Sequence, residues 1–260
     1  RGGRAARGVP GLPGARMSGQ GANVKARGAV LALLGQGCAD SAGELSVTAL
    51  ELLAVARGVA LGLGAPLEVL WTGALPASTA TELGGQGAQR VLHLEAEPAS
   101  STELASVLEG HVRASSPAVL LATTSFASRE LAGRLGVRLG ACVLVDALHL
   151  EVLEGRLVAE RTSFATSWGS RCEVLAEPAI LTVKPHATVG DGQDVPASAV
   201  VGAPAPGAAP ELVTLAPGTG DARVRVLERT VRLASGRPDL ATASTVVAGG
   251  RGVEGDFSLL

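Results

Sequence analysis

Over residues 28–146, short apolar runs alternate with longer stretches in which apolar residues recur every three or four positions. A short unbroken apolar run has the length of a strand buried on both faces, and a spacing of three and four is one side of an amphipathic helix. Regular alternation of the two leaves few architectures open. It predicts an α/β fold: βαβ units forming a doubly wound, mostly parallel sheet with helices on both faces. The strand candidates are 29–34, 67–71, 90–94, 118–122 and 142–145. Ser41 and Glu44 have the spacing of a capping box, and Leu45, Ala49, Leu52, Ala56, Val59 and Leu63 follow on one helical face as far as Gly64. Ser100 and Glu103 repeat that spacing before Leu104, Val107, Leu108 and His111, and Pro117 ends the pattern. A further helix is predicted over about 128–139.

From 147 to 183 the runs become two-periodic, as in half-exposed strands. Glu154-Gly155 reads as the turn of a β-hairpin. His149 alternates outward with Glu151, so it is expected at a solvated strand position. Residues 187–222 are dominated by Ala, Pro and Gly and are expected to be a linker. Residues 223–232 alternate like an exposed strand. Thr245, Val246, Val247 and Ala248 form an apolar run that ends in Gly249-Gly250-Arg251-Gly252. That pattern predicts a buried strand opening a second nucleotide-binding domain. The expected division is a disordered extension at 1–27, an α/β domain at 28–186, the linker, and an incomplete second domain at 223–260.

Composition excludes several roles. The chain has 22 basic and 24 acidic residues, a net charge of −2, so it has no excess of cations for a nucleic-acid partner. Aromatic residues make up 2%, too few for a base-stacking platform. No apolar run approaches the roughly 18 residues a membrane span needs. The three cysteines, at 38, 142 and 172, form no paired framework and read as ordinary buried thiols in a reducing compartment. Residues 1–16 carry four arginines and no acid, and Met17 is the only methionine. Translation is expected to start at Met17, with an Arg-rich targeting segment as the alternative. A cytoplasmic location follows from these readings. The sequence stops at 257–260 where a helix pattern begins, as a fragment would.

Residues for acid–base or nucleophilic chemistry are sparse. The four histidines, 93, 111, 149 and 186, are scattered, and HExxH, GxSxG and P-loop spacings are absent. This predicts a protein that holds a cofactor, not an enzyme, and no metal site. The strongest local signal is the Gly249-Gly250-Arg251-Gly252 block. Glycines let backbone N–H groups approach a phosphate or a ring, and an arginine there adds a fixed planar charge. A tight turn with a solvated arginine is the competing reading.

Arg237-Pro238-Asp239-Leu240, the 245–252 run and Phe257 resemble the segment that opens the FAD domain of electron transfer flavoprotein alpha subunits. Thr123-Thr124-Ser125, Arg129-Glu130-Leu131-Ala132, Leu139-Gly140-Ala141 and Asp146 resemble a second stretch of that family, and Leu181–Pro185 a third. The resemblance implies a chain truncated early in its C-terminal FAD domain, with an N-terminal domain like the adenine nucleotide alpha hydrolases. It implies an electron carrier that pairs with a beta subunit. Electrons would pass from flavin dehydrogenases, such as the acyl-CoA dehydrogenases of fatty acid β-oxidation, through FAD to a quinone oxidoreductase. Arg251 is the implied FAD contact, in a loop shaped by Gly249, Gly250 and Gly252, and the FAD site is incomplete in this chain. The departures are Gly35-Gln36 in place of an acidic-His pair, Glu130 for Asp, Gly133 for Pro, Lys184 for Arg and His186 for Gly. Two other readings remain: a stand-alone adenine-nucleotide-binding enzyme or sensor, and a fragment that only docks to a partner.

Overall fold

A computed structural model describes residues 28–40, 42–190, 195–205, 208–218, 227–228, 230, 243 and 245–250. The extension at 1–27 lies outside the described residues. The chain forms two units, 1–222 and 223–260.

In the first unit the elements run β1 (Val30–Gly35), α1 (Val47–Leu63), β2 (Leu67–Thr72), α2 (Ala77–Gly85), β3 (Ala88–Leu94), α3 (Ser101–Ser115), β4 (Val119–Thr123) and α4 (Phe126–Leu139). Then come β5 (Cys142–Leu153), β6 (Arg156–Ser163), β7 (Trp168–Glu173), β8 (Ala179–Val189) and β9 (Glu211–Thr214). They build one nine-stranded sheet in the order β7-β6-β5-β8-β4-β1-β2-β3-β9. All neighbours are parallel except β5–β6 and β6–β7. The doubly wound fold is therefore as the sequence predicts.

β1 shows why the sheet has helices on both sides. Val30, Ala32 and Leu34 join a core with α1 and α2, and Leu31 joins a second core with α3 and α4. A strand buried on both faces must read as a continuous apolar run. The helix ends follow local chemistry. Ser100 Oγ accepts the Glu103 N–H at the start of α3. Gly64, at φ 62°, and Gly140, at φ 62°, close α1 and α4 in the left-handed region. At the hairpin, Glu154 (φ 49°) and Gly155 (φ 74°) give the two positive-φ positions that suit a two-residue turn.

Three expectations change. First, α1 is capped by Ser46, whose side chain accepts the Ala49 N–H. Ser41 lies outside the described residues, and Leu45 precedes the helix in an isolated bridge to Ala39. Second, the stretch 187–222 is more than a linker, and the α/β unit runs past residue 186. β8 continues to Val189, and Glu211–Thr214 adds a parallel edge strand beside β3. Four residues are too few to show a period in sequence, but the open edge of β3 supplies their hydrogen-bond partners. Third, residues 245–250 form no strand, and Val246 and Val247 are 53% and 62% exposed. A strand needs a neighbour to satisfy its backbone, and the described residues of the second unit contain none. Most of 223–232 lies outside the described residues, and the described Leu227, Glu228 and Thr230 carry no strand.

The structure also joins pieces that the sequence pattern separates. The last parallel run and the first hairpin strand are one long strand, β5, with register shifts around Ala147. β8 returns from the hairpin to lie between β5 and β4. Pro185 is tolerated in β8 because pairing with β4 has already ended at Val183 and pairing with β5 resumes only at Thr188.

Candidate functional site

Ligands of open α/β sheets sit outside the carboxyl ends of the strands, where the strand order reverses. Here that point lies between β1 and β4. The loop after β1 turns through a short 3-10 helix, Gln36–Cys38, and Asp40 Oδ1 then accepts the N–H groups of Ala42 and Glu44, both at 2.9 Å. Residues 35–40 include no lysine or arginine to hold a phosphate. Burial pushes the Cys38 thiol up, so it stays protonated and is a poor nucleophile.

The motif residues from the second stretch do converge, beside the β4 end. Asp146 sits at the register shift of β5 with φ 65°, which turns its carboxylate toward α4. Arg129, in the first turn of α4, grips it with two hydrogen bonds, Nε–Oδ1 at 3.0 Å and Nη2–Oδ2 at 2.7 Å. Thr124 Oγ1 donates to Thr182 Oγ1 at 3.0 Å and lies 3.2 Å from Asp146 Oδ1. Thr182 Oγ1 accepts the Asp146 N–H at 3.0 Å. Ser125 and Ser128 cap α4 reciprocally, which places Arg129. The arrangement fastens β4, β5, β8 and α4 together. Its guanidinium is engaged by a carboxylate, so the cluster is built to hold the fold and not to hold an anion. Thr182, fully buried at its centre, belongs to the third motif stretch, Leu181–Pro185, but nothing in the sequence joins it to Asp146 and Thr124.

A second ionic cluster lies at the other end of the sheet, on β2. Glu68 is 2% exposed and is bonded by Arg90 of β3 through Nε at 2.9 Å and also through Nη2. His111 Nε2 lies 3.9 Å from its second oxygen. Burial alone would raise the Glu68 pKa, but His111 and Arg90 outweigh it and hold the carboxyl below the usual range. Its sequence signal is an acid inside the apolar run Leu67-Glu68-Val69. The other histidines are occupied separately. His93 Nε2 is 2.9 Å from the Gly73 carbonyl, His149 Nδ1 is 2.8 Å from Thr188 Oγ1, and His186 Nδ1 is 2.8 Å from Glu51 Oε1. Among the described residues no group of three His, Cys, Asp or Glu side chains is arranged for a metal ion.

The glycine-arginine block is only partly described. Gly249 is half-buried and Gly250 exposed, and a side chain on Gly250 would meet no heavy atom within 4 Å. Arg251, Gly252 and Phe257 lie outside the described residues.

Residues 38–213 match the model of the electron transfer flavoprotein domain family. The chain is 28% identical over 215 residues to a Mycobacterium leprae protein named electron transfer flavoprotein subunit alpha, an alignment covering 81% of this chain and 62% of that one. A Clostridium acetobutylicum protein of the same name is 29% identical over 220 residues, with the same two coverages. One from Syntrophomonas wolfei is 32% identical over 138 residues, 53% of this chain and 39% of its own. The chain thus spans at most about three fifths of the length of these relatives.

Proposed function

The chain belongs to the electron transfer flavoprotein domain family, and from that membership we propose that it serves as the alpha subunit of a heterodimeric electron carrier. The observation that carries this reading is the match over 38–213, supported by three relatives that share the alpha-subunit name. The partner is a beta subunit, and the carrier works in the cytoplasm. Electrons arrive from flavin dehydrogenases, acyl-CoA dehydrogenases among them, and leave to a quinone oxidoreductase.

The cofactor is FAD, which when bound supplies the redox chemistry. The chain's own part is to bind and tune. Gly249 and Gly250 present backbone N–H groups without side chains in the way, and the open surroundings of Gly250 fit that role. Gly252 extends the same loop, and Arg251 places a planar cation against a phosphate or the electron-rich ring. No acid, base or nucleophile of this chain is needed.

The test is co-expression of the polypeptide, with its reading frame extended past Leu260, and an electron transfer flavoprotein beta subunit, followed by flavin absorption of the purified complex. A yellow complex, with FAD affinity weakened about tenfold by Arg251→Ala, is expected. A stable complex that stays colourless after FAD is supplied overturns the reading.

A further inference from the structure

β7 is an edge of the sheet, paired with β6 on one side only and exposed over nearly all its length. An edge strand presents unpaired N–H and C=O groups and can take up another strand. The register with β6 determines which residues those are. The Val174 N–H donates to the Leu157 carbonyl at 2.9 Å, and Ala159 and Arg161 stand opposite Cys172 and Ser170. Antiparallel pairing alternates its hydrogen-bonded positions. Ser170, Cys172 and Val174 therefore turn their backbone groups toward β6, and Gly169, Arg171 and Glu173 turn theirs outward.

A second copy of the same strand, related by a two-fold axis, can bond only where outward residues face outward residues. Within 169–173 three registers give at least two such pairs. Centring on Arg171 sets two guanidinium groups opposite each other, which is repulsive. Centring on Ser170 faces Arg171 with Gly169 and gives it no charged partner on the other copy. Centring on Cys172 faces Arg171 with Glu173 twice, as two hydrogen-bonded pairs of opposite charge. Within one chain Arg171 already reaches Glu151 at 2.6 Å, and Glu173 is bonded by Arg156 at 2.7 Å. The third register would join these into one ladder of alternating charge across both copies.

We propose that β7 is a self-association edge: two copies of this chain pair antiparallel through β7, centred on Cys172, with Arg171 of each facing Glu173 of the other. The pair of Cys172 residues occupies a non-hydrogen-bonded position, where opposed Cα atoms come within about 4.5 Å, inside disulfide reach. Cys172 is a free, partly exposed thiol.

The test uses the full 260-residue chain. Sedimentation velocity over a concentration series is expected to show a monomer–dimer equilibrium. Arg171→Glu is expected to weaken the dimer about tenfold or more, and the double reversal R171E/E173R to restore it. Treated with diamide, two Cys172 thiols give their hydrogens to the oxidant and form one S–S bond. A covalent dimer that Cys172→Ser abolishes is therefore expected, and this result needs no charge variant to fold. A chain that stays monomeric, a dimer indifferent to R171E, or oxidised dimers that survive Cys172→Ser would each overturn the proposal.

Discussion

Gly58 and Gly133 both sit within helices and meet opposite surroundings. A Cβ on Gly58 would fall 2.3 Å from Val189 Cγ1 and 3.1 Å from its Cβ, so β8 would have to move. On Gly133 it would meet nothing within 4 Å. Replacing glycine with alanine in a helix gains about 1 kcal/mol where space allows, and overpacking costs about 1–3 kcal/mol. Urea unfolding should therefore show Gly133→Ala stabilised by up to about 1 kcal/mol and Gly58→Ala destabilised. His186 offers a third case, held at φ 62° in a region that favours glycine. Its N–H donates to Glu51 Oε2 at 3.1 Å and would still do so after His186→Gly. The exposed imidazole–carboxylate pair, which the glycine variant would no longer make, is worth little, so the melting temperature should rise. The periodicity of α1 shows which of its residues face inward. It cannot show that Gly58 and Gly62 lie against Val189 and Val152, because those strands are distant along the chain.

Among the elements, the joint between α4 and β5 rests on Arg129 and Asp146. With side chains 42% and 18% exposed, the pair is partly screened, and Arg129→Gln should cost about 1 kcal/mol. Asp146→Asn should cost a similar amount while keeping the left-handed backbone, since asparagine tolerates it. Chemical denaturation of the two single variants and the double would show non-additivity if the interaction is direct. At the opposite edge, α2 presses Gly84 against the approach to β9. A Cβ there would fall 2.7 Å from the Ala208 carbonyl oxygen. Gly84→Leu should release β9, seen as faster amide hydrogen exchange at Val213 and Leu215, whose N–H groups face β3, with the inner strands unchanged. β1 and β4 are readable because burial on both faces leaves an unbroken apolar run, and β2 interrupts its run only at Glu68. α2 is not, since Ala77–Gly85 offers one large apolar residue, Leu83, and starts after Pro76 without a side-chain cap. β9 and β7 are hidden for a related reason: an edge strand contributes little to the core, so its composition carries little pattern. The cluster at Asp146 is legible as a motif, and its joining role emerges only with the bulge that turns the carboxylate.

For the molecule as a whole, stability toward acid should depend on Glu68. Its carboxyl is held below the ordinary glutamate range, so its contribution is present above about pH 4.3 and is lost as pH falls through the lower folded value. Glu68→Gln should be less stable than the parent at neutral pH, because Arg90 loses its charged partner. Its stability should fall less steeply on acidification, as measured by urea midpoints between about pH 3 and pH 7. The two tryptophans divide the molecule differently. Trp71 is wholly buried, with its indole N–H on the Ala74 carbonyl at 2.9 Å, and Trp168 is 70% exposed at the start of β7. With no tyrosine in the chain, its near-ultraviolet emission comes from these two rings. One indole glows from dry surroundings and reports whether the core is intact, and the other, wet and quenchable, reports what settles on the outer strand. Unfolding and association can thus be followed in one unlabelled sample by colour alone.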